Sequence, residues 1–173
     1  AYTEMALLAR FLPDQGIVSI EGALTDRSFI FSANCVLMGG FAYYLWFKCQ
    51  HAGDFVLTFG GYHPKFDRPD HYPNPLPVGV HWQISDHVSI TGYNYFALTP
   101  SCIMAGGGLL WQWHTGPLKA WFRVQMDFLI AWQPFHYDAS FYVNVGGSID
   151  IHVWFVKKTI SIDLDGYIHI WGP

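Results

Sequence analysis

Hydrophobic residues recur in this chain with a period of two, and no other feature constrains the fold as much. Along Ile160 to Ile170 one side reads Ile160, Ile162, Leu164, Gly166, Ile168 and Ile170. The other side reads Ser161, Asp163, Asp165, Tyr167, His169 and Trp171. Successive side chains of an extended strand point to opposite faces, so a run of this kind is a half-buried strand. Leu118 to Phe128, Phe41 to Cys49, Ser89 to Leu98 and Ser140 to Val156 alternate in the same way. Ile17 to Leu24, Phe29 to Ser32, Phe55 to Phe59, Gly79 to Ile84 and Leu109 to Trp113 are shorter candidates.

Turn signals separate the runs: Gly39-Gly40, Gly60-Gly61, Ser85-Asp86, Gly106-Gly107-Gly108, Gly116-Pro117, Gly146-Gly147 and Asp165-Gly166. The short gaps leave no room for repeated crossover helices, which argues against parallel βαβ units. Met5 to Leu12 is the one segment with a weak helical reading. The expected architecture is a single all-β domain over residues 1–173. It is an antiparallel β-sandwich or open barrel of about ten strands. Tyr62 to Pro77 breaks the pattern: it holds five of the ten prolines. Proline donates no ladder hydrogen bond, so this stretch is a stiff irregular loop.

The composition narrows the function classes. Charged residues make up 13% of the 173 residues and the formal net charge is -4. There is no basic field to collect phosphates, which argues against nucleic acid, and no run of Lys and Arg for anionic lipid. No apolar run reaches the roughly 18 residues of a spanning helix. Tyr and Trp crowd both faces of uneven strands, which argues against a transmembrane barrel. The three cysteines form no metal-binding spacing. No signal peptide or glycosylation sequon is visible, and the expectation leans intracellular. GxSxG, HExxH and GxGxxG are all absent, and nothing singles out a carboxylate pair, so an enzyme is not expected.

Aromatics reach 18%. Many lie opposite the apolar stripes, among them Tyr44, Trp46, Tyr93, Tyr95, Trp121, Tyr142, Trp154, Tyr167 and Trp171. Tyr and Trp suit pleated surfaces whether or not they bind anything. Flat rings beside a few hydrogen-bonding groups also suit a ligand. The candidate ligand residues are Trp46, Lys48, Tyr95, Trp121, Arg123 and Trp154, with Arg123 and Lys48 able to pair a carboxylate. Asp67, Asp70 and His71 lie within five residues of the Pro-rich loop, near His63, and form the candidate metal set, with Ca2+ or Mg2+ the expected ion. Asp163 and Asp165 share a strand face and could also meet a cation. The competing reading is loop Asp residues bonding their own turn backbone.

Several strings together carry a family resemblance. They include Gly-Gly-Phe-Ala-Tyr-Tyr-Leu-Trp-Phe (39–47), His-Ala-Gly-Asp-Phe-Val-Leu-Thr-Phe-Gly-Gly-Tyr-His-Pro-Lys-Phe (51–66), Tyr-Phe-Ala-Leu-Thr-Pro-Ser-Cys-Ile-Met-Ala-Gly-Gly (95–107), Asp-Phe-Leu-Ile-Ala-Trp-Gln-Pro-Phe-His-Tyr-Asp (127–138) and Trp-Gly-Pro (171–173). Nearly the whole chain resembles an uncharacterised all-β domain found in large multidomain proteins of fungi and bacteria. In its free-standing form, at about this size, the domain is similar to fungal chromoproteins. That resemblance implies a β-sandwich holding a conjugated polyene-type pigment non-covalently, with bound divalent cations. It marks no pigment-contacting residue. The expected function is therefore non-enzymatic binding of an apolar or pigment-like small molecule. A carbohydrate-binding module or lectin is the alternative, and the last strand is expected to be a sheet edge or homodimer contact.

Overall fold

The computed structural model describes all 173 residues. Eleven strands form: β1 Met5–Leu12, β2 Ile17–Leu24, β3 Cys35–Met38, β4 Gly40–Trp46, β5 Phe55–Phe59, β6 Val78–Gln83, β7 Val88–Leu98, β8 Cys102–Thr115, β9 Leu118–Trp132, β10 Phe135–Val153 and β11 Val156–Gly172. All pairs are antiparallel. A single 3-10 turn, Cys49–His51, is the one helical element. No helix is long and apolar enough to cross a membrane.

The strands join in one open sheet, in the order β1-β2-β4-β5-β7-β8-β9-β10-β11, and do not close into a barrel. The sheet forks at β7. The first half of that strand pairs with β6, which carries β3, and its last residues, Phe96 to Leu98, pair with β5. The fork makes one continuous ladder of what could have been two separate sheets.

Met5 to Leu12 is a strand, not a helix. Pro13 to Gly16 turns the chain back on itself and sets β1 against β2 residue for residue. Phe29 to Ser32 shrinks to isolated bridges from Phe29 to Tyr2 and Val36. Gly106 to Gly108, Gly146-Gly147 and Asp165-Gly166 are not turns either. All three lie inside strands. Two of these glycines make room for rings. A Cβ on Gly106 would meet the Tyr95 ring, and one on Gly146 would meet the Trp121 indole. Glycine mid-strand can thus mark a close approach rather than a break.

The core is a cross-strand row. Ala42, Thr58, Ala97, Met104, Leu129 and Asp138 are successive register partners and all are buried. The Pro-rich loop covers this row. Tyr62 and Phe66 pack on Tyr95, Ala97, Cys102, Met104 and Leu129, while Tyr72 packs with Trp46 and Val56. Rings continue from sheet to loop, Tyr44–Trp46 at 5.4 Å, Trp46–Tyr72 at 5.6 Å and Tyr62–Phe66 at 5.5 Å between centroids. Tyr72 donates to Asp54 Oδ1 at 2.7 Å, and Tyr62 donates to the Pro73 carbonyl at 2.6 Å.

The buried face is the aromatic and polar one. The apolar stripes, which the alternation marked as the core side, are largely open: Leu7, Phe11, Phe59, Met126, Phe128, Ile162, Leu164, Ile168 and Ile170 are all exposed. The physical reason is the single sheet. One loop of sixteen residues, 62–77, covers the middle of one face, and no second layer covers the other.

Candidate functional site

The apolar face carries a trough across β8 to β11. Gly147 of β10 is the register partner of Ala120 of β9 and of Ile162 of β11, and Ala120 is the partner of Trp113 of β8. Gly147, which has no side chain, lowers the floor at its centre. Leu118, Ile149 and Ile160 form one wall, while Val145 and Leu164 stand on the other side. The depression measures about 600 Å3. Four strands at about 4.8 Å spacing give it a length of roughly 14 Å. Its walls are chiefly hydrocarbon, with Lys119, Ser148 and Asp163 also on the lining, and Ile162 at its outer end is 79% exposed.

The opposite face carries a polar centre where the Pro-rich loop meets β10 and β11. Lys65 Nζ donates to Asp138 Oδ2 at 2.7 Å, and His169 Nε2 lies 2.8 Å from the same oxygen. Burial alone would raise the Asp138 carboxyl, but the bonds from Lys65 and His169 outweigh it and hold the carboxyl below its ordinary value. His63, within the loop, is buried against the sheet, where its backbone N–H donates to Met104 Sδ. Its Nδ1 accepts the Lys65 backbone N–H at 3.1 Å, which leaves the proton of the neutral ring on Nε2. That atom faces Asp138 Oδ1 across 3.8 Å, and neither has a hydrogen-bond partner. Burial lowers the His63 pKa despite the nearby carboxylates of Asp127 and Asp138. A pocket of about 280 Å3 opens beside these groups, lined also by Asp67, Ser101, Gln133 and His136.

Further along the same face, Trp171, His169 and Tyr167 form a ladder on β11 with centroids 4.6 and 6.0 Å apart. Beside it, Tyr142 donates to Asp165 Oδ1 at 2.7 Å. Asn144 Nδ2 donates to Asp165 at 2.8 Å and to Asp163 at 3.3 Å.

The sequence-derived ligand residues do not converge. Trp46 and Tyr95 are core residues. Tyr95 donates to Asp127 Oδ1 at 2.7 Å, and burial above all keeps its phenol protonated well into alkaline pH. Lys48 follows β4, four ladder steps from β9. Trp121 and Arg123 are near one another on β9, where the Trp121 indole N–H donates to Asn144 Oδ1 at 2.7 Å. Both lie on the face opposite the trough. Trp154 stands alone at the tip of the β10–β11 hairpin. The sequence does not point to the trough because its floor, Gly147, has no chemistry of its own. The Gly146-Gly147 pair was its one signal, and it reads equally as a turn.

The metal set does not form. His71 turns to Asp54, with Nε2 2.7 Å from Oδ2, and stacks on His51 at 3.8 Å. Asp67 and Asp70 are exposed and make no side-chain hydrogen bond with either. Asp163 and Asp165 direct their oxygens at Asn144. No three His, Cys, Asp or Glu side chains gather in a way that could hold an ion. Asp67, Asp70 and His71 thus do not converge on one point in this structure.

No curated protein and no solved structure matches this chain. A family model does match it, over residues 1–173. An all-β chain with one covered and one open sheet face, matched over its full length, belongs to the family of unknown function DUF6603.

Proposed function

We propose that this chain is a non-enzymatic binding protein for an elongated apolar small molecule, with a conjugated polyene-type pigment as the leading ligand chemistry. The observation that carries the reading is the trough floored by Gly147 between Ile149 and Val145. A rod-like hydrocarbon laid along it would remove apolar surface from water on both partners, at about 25 cal/mol per Å2. Strand-borne walls are rigid, so an extended polyene would be held flat, and flattening shifts its absorption. The resemblance to fungal chromoproteins points the same way.

A second reading, carbohydrate binding, is favoured by the Trp171–His169–Tyr167 ladder beside Asp163, Asp165 and Asn144. Sugar rings stack on such platforms while their hydroxyls reach the flanking carboxylates.

A fluorescent polyene fatty acid serves as the probe. Saturable binding to the purified chain, weakened about tenfold by Gly147→Val, is expected, since two added methyl groups fill the floor. Saturation that is unchanged in G147V, or no saturation at all, rejects the trough. Glycan binding abolished by Trp171→Ala in its place would establish the second reading.

A further inference from the structure

The longest hairpin runs past the sheet. The neighbouring strand β9 ends its pairing with β10 at Leu118↔Ile149, whereas β10 and β11 pair on to Val153↔Val156. Asp150 to Thr159 is therefore a two-stranded ribbon projecting roughly 13 Å, four residues at about 3.3 Å each. Its tip reads Val-Trp-Phe-Val. Trp154 is 92% exposed and Phe155 100% exposed, more than any other large apolar residue in the chain. Trp154 sits at φ +57, a conformation that favours glycine. A tight turn closed by Gly or Asn would be less strained and more soluble, so folding alone does not account for a tryptophan there.

The flanks are basic. Lys157 and Lys158 follow the tip, and Lys119 at the start of β9 reaches the same ribbon. The ammonium groups of Lys119 and Lys157 lie 3.8 and 3.9 Å from Asp150 Oδ2. Three of the five lysines of a chain with net charge -4 thus stand just below an apolar point, two of them sharing one carboxylate. The sequence shows no basic run here because Lys119 is brought in from a distant strand.

We infer that the Val153–Val156 tip docks the chain on an anionic lipid surface, the two rings entering the headgroup boundary and the lysines meeting lipid phosphates and carboxylates. Indole and phenyl rings partition to that depth, and a Lys near an anionic surface adds attraction that salt screens. Charge complementarity selects lipid over a neutral apolar pocket in another protein. The inference stands whether or not the trough carries a ligand.

Co-sedimentation of the whole chain with phosphatidylcholine vesicles, with and without about a third phosphatidylserine, tests it. Binding is expected to the anionic vesicles, weakly if at all to the neutral ones, and to fall as salt rises. W154S/F155S is expected to lose binding by tenfold or more, as is K157E/K158E. The aromatic swap W154F/F155W should retain it, and Met126→Ser, on the open sheet face outside the trough, should leave it unchanged. A wild-type chain that ignores anionic vesicles overturns the inference. So does W154S/F155S binding at the wild-type level, or loss that follows Met126→Ser and spares the tip variants.

Discussion

Lys65, in the Pro-rich loop, and Asp138, on β10, are 73 residues apart in sequence, and their charged atoms meet at 2.7 Å. The contact ties the loop to the far half of the sheet and closes the roof over the core row from Ala42 to Leu129. Lys65 is more than half exposed, so screening limits its own contribution to about 0–1 kcal/mol. Asp138 matters more, because His63 and His169 both face it.

Acid should loosen this roof in two steps. His63 has a folded pKa below its ordinary 6.5, set chiefly by burial, so the unfolded chain takes up the proton first. Its contribution is fully present above about pH 6.5 and is lost as pH falls through the folded value. Asp138 is held below its ordinary 3.8, so its contribution is present above that value and is lost at still lower pH. Asp127, Lys65 and His169 are the other charged or titratable groups around the pair. Thermal melting followed from pH 8 to pH 3 is expected to fall in both windows. His63→Gln should erase the first step, and Asp138→Asn should erase the second at a cost of about 1–3 kcal/mol at neutral pH. A flat profile from pH 7 to pH 5 in the wild type would remove His63 from this role.

The mid-strand glycines should differ sharply from one another. A Cβ on Gly106 has the Tyr95 ring and the Met126 carbonyl in its way, whereas one on Gly147 meets only the Lys119 carbonyl, at 3.3 Å. Gly106→Ala is expected to cost about 1–3 kcal/mol through overpacking, and Gly147→Ala well under half as much. Urea denaturation of the two variants checks the ordering, and equal losses would contradict it.

Three tyrosines should resist ionisation. Burial raises the phenols of Tyr62, Tyr72 and Tyr95 far above 10, helped at Tyr72 and Tyr95 by hydrogen bonds to Asp54 and Asp127. Each contributes stability below pH 10 that is lost as pH rises through the folded value. An ultraviolet titration is expected to show these three of the ten phenols still protonated until the chain unfolds in alkali. Tyr95→Phe should cost about 1–3 kcal/mol, since it removes a buried donor from the Asp127 carboxylate. Full phenolate absorbance with the fold intact would contradict the burial of all three.

Alternation with a period of two determines the long strands and the residues that share each face, and the short connections between them determine antiparallel pairing. Ile160 and Ile162 fall on one side of β11, and His169 and Trp171 on the other, because pleating admits no other arrangement. The prolines between Tyr62 and Pro77 likewise determine a loop, since they leave no ladder to continue. Which face is buried is a different matter. It depends on what lies above each face, and only the tertiary structure brings that loop over Tyr95 and Met104 while leaving Ile162 and Phe128 open. The same holds for site residues. Asp67, Asp70 and His71 are neighbours in sequence and are aimed apart, whereas Lys65 and Asp138, or Trp113 and Gly147, are distant in sequence and share a site. Strand pairing sets side-chain proximity across the sheet, and that pairing is long-range. Alternation says how each strand faces the sheet, and sheet order and loop placement decide what it meets there.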